Sequence, residues 1–189
     1  QSISKYFDVY VGLVSGKENI YKNSELGNIQ VLNKENQLDD YIFLKSFPGN
    51  NPEVNKYLED HKTELLGRKI KKFNQKNWFE WGAPRNISIM EKHNGEDCIY
   101  IHNLTRNNRV AFKGTIGYFG GGLLMLKPKS KDKNEEGNKN KKKVDLDQLV
   151  LYLNSSTFKN NFTFSGRFKI GHRQLSNSQI LWSESIFQS

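Results

Sequence analysis

The sequence predicts an α+β fold: a mainly antiparallel sheet with two or three helices, in a single domain spanning residues 1–189. Two observations carry that expectation. Short β-rich apolar stretches follow one another with turn residues between them, and four of them fall in quick succession between positions 87 and 127. Helical periodicity is confined to two regions, one opening the middle of the chain and one near its end.

The N-terminal third reads as strands. Phe7-Asp-Val-Tyr-Val-Gly-Leu-Val14 alternates until Ser15-Gly16 breaks it, and 29–32 and 41–44 continue the pattern. A helix is predicted from Asn51, with Pro52 at its first position, to Gly67, burying Val54, Tyr57, Leu58, His61 and Leu65 on one face. An aromatic loop, Asn77-Trp-Phe-Glu-Trp-Gly-Ala-Pro-Arg-Asn86, precedes strand signals at 87–90, 99–102, 109–113 and 123–127. Asp145 and Gln148 form a capping box for a second helix carrying Leu146, Leu149, Val150 and Leu153, and Ser155 or Ser156 caps a short third one bearing Phe158 and Phe162.

The mean hydropathy is -0.75, yet aromatics make up 12% of residues, enough to build a core. No apolar run approaches the roughly 20 residues that cross a bilayer, and no signal peptide is visible, so the expectation is a soluble, cytoplasmic protein. The single cysteine, Cys98, excludes an internal disulfide framework and fits a reducing compartment. His93, Cys98 and His102 have only loose ligand spacing; alternation makes Cys98-Ile-Tyr-Ile-His102 a strand, and no metal site is expected.

The net charge of +9 points toward nucleic acid, but its distribution matters more than its size. The run KPKSKDKNEEGNKNKKK at 127–143 supplies +5 of it and reads as a low-complexity loop. The rest lies in clusters such as Arg68-Lys-Ile-Lys-Lys72 and Arg167 to Arg173.

Catalytic motifs are approached and missed. Gly12-Leu-Val-Ser-Gly16-Lys17 is too short for a phosphate loop. Phe119-Gly-Gly-Gly122 approaches the Phe-x-Gly-x-Gly loop that binds S-adenosylmethionine, but position 123 is Leu. Asn51-Pro52 is followed by Glu53, not by the Pro-Tyr or Pro-Phe that would hold a target amine. Asp60-His-Lys62 is the nearest approach to a nuclease carboxylate site and lies on the first helix with Asp60 outward, while Asp145 and Asp147 fit a helix start. The chain is expected to catalyse nothing by itself.

Groups suited to nucleic acid are more plentiful. Trp78, Phe79 and Trp81 either seal the core or offer a stacking surface; beside them Arg85 and Asn86 are base-reading types, Arg for guanine and Asn for adenine. His102-Asn-Leu-Thr-Arg-Asn-Asn-Arg109, with Arg106, reads equally as a hairpin turn or a contact loop. After Lys113, five glycines in the nine positions from Gly114 to Gly122 surround Tyr118, which fits either a sheet bend or a close approach to a ligand. In Ser165-Gly-Arg-Phe-Lys-Ile-Gly-His-Arg-Gln-Leu175, alternation exposes Arg167 and Lys169 while Phe168 and Ile170 enter the core. His172, Arg173 and Gln174 stand open as contacts or as braces.

Taken together, these stretches resemble the C-terminal target-recognition region of bacterial type II DNA adenine N6-methyltransferases of the TaqI-like group. The likeness rests on Asp8-Val-Tyr-Val-Gly-Leu-Val-Ser-Gly16 with Gly27-Asn-Ile29, Trp81-Gly-Ala-Pro-Arg-Asn86, and Tyr118-Phe-Gly-Gly-Gly-Leu-Leu-Met-Leu-Lys-Pro128. It continues through Asp147-Gln-Leu-Val-Leu-Tyr-Leu-Asn-Ser-Ser-Thr-Phe158 and Gly166-Arg-Phe-Lys-Ile-Gly-His-Arg-Gln-Leu175. The resemblance implies a target-recognition domain for double-stranded DNA that helps present a flipped adenine. It also implies a separate N-terminal methyltransferase domain or subunit that binds S-adenosylmethionine and holds the catalytic loop; none of that cofactor is expected in this chain. The contact residues expected are Arg85, Asn86, Arg106, Lys113, Tyr118, Arg167, Lys169, His172, Arg173 and Gln174, with Lys69, Lys71 and Lys72 touching the DNA backbone. The rival expectations are a restriction endonuclease with a dispersed metal site and a module that docks a catalytic domain.

Overall fold

A computed structural model describes residues 1–130 and 143–180. Most of the lysine-rich run and Trp182 lie outside the described residues. In chain order the elements are a 3-10 turn (Ile3–Lys5), β1 (Phe7–Val11), α1 (Glu18–Tyr21), β2 (Ile29–Lys34), β3 (Gln37–Tyr41), α2 (Pro52–Asp60), α3 (Lys62–Leu66) and α4 (Ile87–Lys92). They continue with β4 (Asp97–His102), β5 (Leu104–Thr105), β6 (Ala111–Thr115), β7 (Leu123–Pro128), α5 (Leu146–Leu153), α6 (Ser156–Lys159), β8 (Thr163–Phe164), β9 (Arg167–Lys169) and α7 (His172–Asn177). The class is α+β with antiparallel sheets, as the sequence predicts. Helices are more numerous than expected because most span only one or two turns.

The chain divides into two compact units. One, formed by Gln1–Val11, His93–Ile116 and Gly122–Ser189, holds a four-stranded antiparallel sheet in the order β1-β7-β4-β6. The central strands β4 and β7 are buried on both faces, which is why 123–126 is a continuous apolar run rather than an alternating one. On one face Ile99, Ile101, Leu124 and Leu126 join Leu146, Leu149, Val150 and Leu153 of α5 in a single core. Asp145 caps α5 by accepting from the Asp147 and Gln148 amides.

At the other end of α5, Asn154 explains the Leu-Asn-Ser sequence. Its Oδ1 accepts from the Val110 and Ala111 amides at 2.7 and 3.0 Å, and its Nδ2 donates to the Ala111 and Val150 carbonyls. One amide side chain thus ties the start of β6 to the last turn of α5.

The second unit comprises Gly12–Lys92 and Gly117–Gly121. The β2–β3 hairpin turns at Asn36, φ 60°, and Trp81 sits beneath it, its ring against Tyr21, Tyr41 and Phe43 and its Nε1 donating to the Ile42 carbonyl at 2.8 Å. Trp78, Phe79 and Trp81 are all core residues. The predicted first helix is capped by Asn51 and closed by Gly67 as expected, but breaks at His61 into α2 and α3.

Two strand expectations in this unit need correction. Residues 41–44 pair only at Tyr41, since β3 is centred earlier. Residues 87–90 form α4, not a strand: the Met90 amide bonds to the Asn86 carbonyl at 3.1 Å, and of the apolar side chains only Met90 is fully buried. Four residues are too few to separate a period of 2 from one of 3.6.

The glycine-rich stretch is a close backbone approach. Leu13 and Gly120 form a parallel bridge, and a Cβ on Gly12 would lie 2.1 Å from the Gly120 carbonyl oxygen. Only glycine permits that contact.

Candidate nucleic-acid interface

In the first unit a small antiparallel sheet, in the order β5-β9-β8, gathers three of the expected contact residues. Thr163-Phe-Ser-Gly-Arg-Phe-Lys169 makes a tight hairpin whose loop residues, Ser165 and Gly166, both have positive φ, 50° and 74°. That pair of values marks a type I′ turn, whose twist matches the flanking strands. The β5 strand pairs with the other edge of β9, setting Leu104 opposite Lys169 and Thr105 opposite Phe168.

Pleating sorts the side chains. Phe168 points inward, 3% exposed, and meets Phe162 edge-on within the core. Residues directly opposite share a face, so Phe164 and Arg167 stand together on the outer side, next to Lys169 and Leu104. Arg106 follows β5 and returns to the hairpin, its Nη1 donating to the Ser165 carbonyl at 3.2 Å. The loop 102–109 and the segment 165–175, read separately in the sequence, therefore build one surface. Phe164, 85% exposed, was missed by the sequence reading. Its signal was the Ser-Gly pair between alternating residues, a hairpin mark.

The three candidate residues of α7 differ in their partners. Gln174 Oε1 accepts from the Gly171 amide at 2.8 Å and caps its own helix. His172 Nε2 donates to the Val9 carbonyl at 2.8 Å, fastening α7 to β1. Arg173 is exposed between them, with no hydrogen-bond partner among the described residues. Lys113 projects from the edge strand β6 and pairs with Asp147 at 3.6 Å, both side chains in solvent.

In the second unit Arg85 is exposed, with its Nε donating to the Gly12 carbonyl at 3.1 Å. Asn86 is half-buried at φ 60° and starts α4 through its carbonyl. Tyr118 is half-buried too; burial first, then the Glu91 carboxylate, raise its phenol above the usual value, against the opposing effect of Lys45. Lys69 and Lys72 are exposed, whereas Lys71 pairs with Glu80 at 3.6 Å.

Arg68 does not belong to this basic cluster in space. It is 7% exposed and donates to the Leu65, Ser15 and Trp78 carbonyls at 2.9, 2.9 and 2.7 Å. Its guanidinium lies 3.8 Å from the Phe73 ring centroid. It is a core brace, and desolvation lowers its pKa.

The described residues contain no group of three or more His, Cys, Asp or Glu side chains placed to hold a metal. Cys98 is buried in β4, and burial pushes its thiol up to about 12. No helix among the described residues is long and apolar enough to cross a membrane. The glycine-rich stretch is committed internally: the Gly120 and Gly121 amides donate to the Leu32 and Leu13 carbonyls, both at 2.9 Å. Those two amides are thus engaged within the fold.

No protein-family model matches the chain. Over 157 residues it is 27% identical to the type II methyltransferase M.MjaIV of Methanocaldococcus jannaschii, an alignment covering 79% of this chain and 47% of that protein. The chain spans about half the length of the relative it matches. The similarity is thus to part of a type II methyltransferase and extends over most of this chain.

Proposed function

We propose that the chain recognises duplex DNA for a restriction-modification DNA adenine N6-methyltransferase and helps present the target adenine to a separate catalytic portion. The observation that carries this reading is the outer face of the β5-β9-β8 sheet. Arg106, Arg167 and Lys169 are exposed there, and no carboxylate pairs with them among the described residues. Cations left unpaired on a rigid hairpin are disposed to hold phosphates and base edges, since an antiparallel ribbon fits the major groove. The similarity to a type II methyltransferase supplies the reaction context.

On this reading Arg167 and Arg106 bind guanine edges or phosphates through their forked donors, and Lys169 acts as a point charge on a phosphate. His172 and Gln174 hold α7 in place so that Arg173 faces the duplex. Lys113 adds a weaker contact, because Asp147 competes for it. In the second unit Arg85, Asn86 and Tyr118 contact bases, and Lys69 and Lys72 the backbone. S-adenosylmethionine, held by the catalytic portion, would supply the methyl group.

The test is selection from a randomised duplex pool, followed by titration of the enriched and a scrambled duplex at two salt concentrations. Sequence recognition predicts tighter binding of the enriched duplex at both salts. Equal affinity for the two rejects it.

A further inference from the structure

We propose that Phe164 is an aromatic wedge that inserts at a base step of the bound duplex, at the tip of a hairpin anchored by flanking cations. This rests on the DNA-recognition reading above and assigns a further contact residue within it.

Several observations converge on this residue. Phe164 is 85% exposed, more than Leu38, Ile70, Leu104 or Leu151, the other large apolar side chains in solvent among the described residues. It does not dangle from a floppy loop. It is the last residue of β8, paired directly with Arg167 across a two-residue turn. The Arg106 bond to the Ser165 carbonyl holds that turn, and the edge of β9 away from β8 is paired to β5. An apolar ring thus stands at the narrow end of a braced ribbon, where a groove would receive it first.

Its neighbours name the occupant. Arg167 and Lys169 share its face and Arg106 flanks its turn. A protein partner with an apolar pocket would leave three cations to be matched by acids. A duplex supplies both halves at once: an unbroken row of phosphates for the cations and, between base pairs, an apolar slot that accepts a flat ring. Inserted side chains of this type partly unstack a step and bend the helix, and the cost is offset by contacts that the bend brings within reach.

The experiment uses the chain with its selected duplex, carrying 2-aminopurine at successive positions. Wedging predicts a fluorescence rise at one step on binding, which Phe164→Ala abolishes while weakening binding roughly ten- to hundred-fold, as loss of a base-stacked aromatic does. The slope of log affinity against log salt stays unchanged in Phe164→Ala, because no phosphate contact is removed. Phe164→Trp retains affinity, and its indole emission is quenched on DNA relative to the parent chain. Phe164 is 85% exposed, so the variants' thermal melts should overlay the parent's.

Two results overturn the proposal alone: Phe164→Ala binding like the parent, or no position of the duplex brightening while the parent binds tightly. Loss of association with the catalytic portion, with DNA binding intact, would make this a protein-docking face and overturn it as well. Failure of the parent chain to bind any duplex at low salt has a different meaning, since it removes the DNA-recognition reading itself.

Discussion

Arg106 and Ser165 are 59 positions apart in sequence, yet the Arg106 guanidinium donates to the Ser165 carbonyl at 3.2 Å and holds the hairpin at its tightest point. The bond leaves most of the guanidinium's donors facing solvent, so one residue both braces the turn and extends its positive face. Arg106→Ala should therefore lower the salt slope of DNA binding by about one and speed hydrogen exchange at the Gly166 and Arg167 amides. Arg106→Lys should recover the slope better than the protection, since a lysine carries the charge without the fork. Both changes sit on the surface and should cost less than about 1 kcal/mol in urea unfolding.

Arg68→Ala should behave in the opposite way. It leaves three carbonyls and the Phe73 ring without their partner. Loss of about 3 kcal/mol in urea unfolding is expected, while the folded fraction keeps the parent's salt slope for DNA. A changed slope would place Arg68 among the phosphate contacts.

Asn154→Ala should be the most damaging single change near α5, at about 3 kcal/mol, because it strips partners from the Val110 and Ala111 amides together. Asn154→Asp keeps the acceptor but loses both donated bonds to the Ala111 and Val150 carbonyls, so it should fall between alanine and the parent. Thermal melts of the three proteins order them.

Cys98 gives the chain an alkaline limit. Its thiol titrates near 9.0 when unfolded and near 12 in the fold, mainly through burial; the Tyr100 hydrogen bond lowers it and Asp97 raises it. Folding favours the protonated form, so this contribution to stability is complete below pH 9.0 and is lost as pH rises toward about 12. Tyr21, moved by burial from 10.0 to about 12, acts with the same sign. Cys98→Val should flatten the fall in stability between those limits, read as denaturation midpoint against pH. The native thiol should also resist alkylation at pH 8, where its thiolate is scarce.

What the sequence disclosed follows from what is local. Alternation in Arg167-Phe-Lys-Ile places Phe168 and Ile170 inside and Arg167 and Lys169 outside, and the caps at Asn51, Asp145 and Ser155 stand where their side chains demand. The β5-β9 pairing could not be read, because β5 has only two residues, too few to show a period, and its partner is distant in the chain. Arg68 was equally hidden. Its neighbours Lys69 and Lys72 do face solvent, and nothing in a run of basic residues marks the one whose side chain turns inward to three carbonyls.

The division of labour across β9 has a consequence for how such a chain can diverge. Phe168 alone on that strand is held by the core, while its neighbours on either side, Arg167 and Lys169, look outward. Core packing and solvent-facing charge are thus written on opposite sides of the same short ribbon. The outward residues Phe164, Arg167 and Lys169 can be exchanged, singly or together, while Phe168 keeps the ribbon anchored.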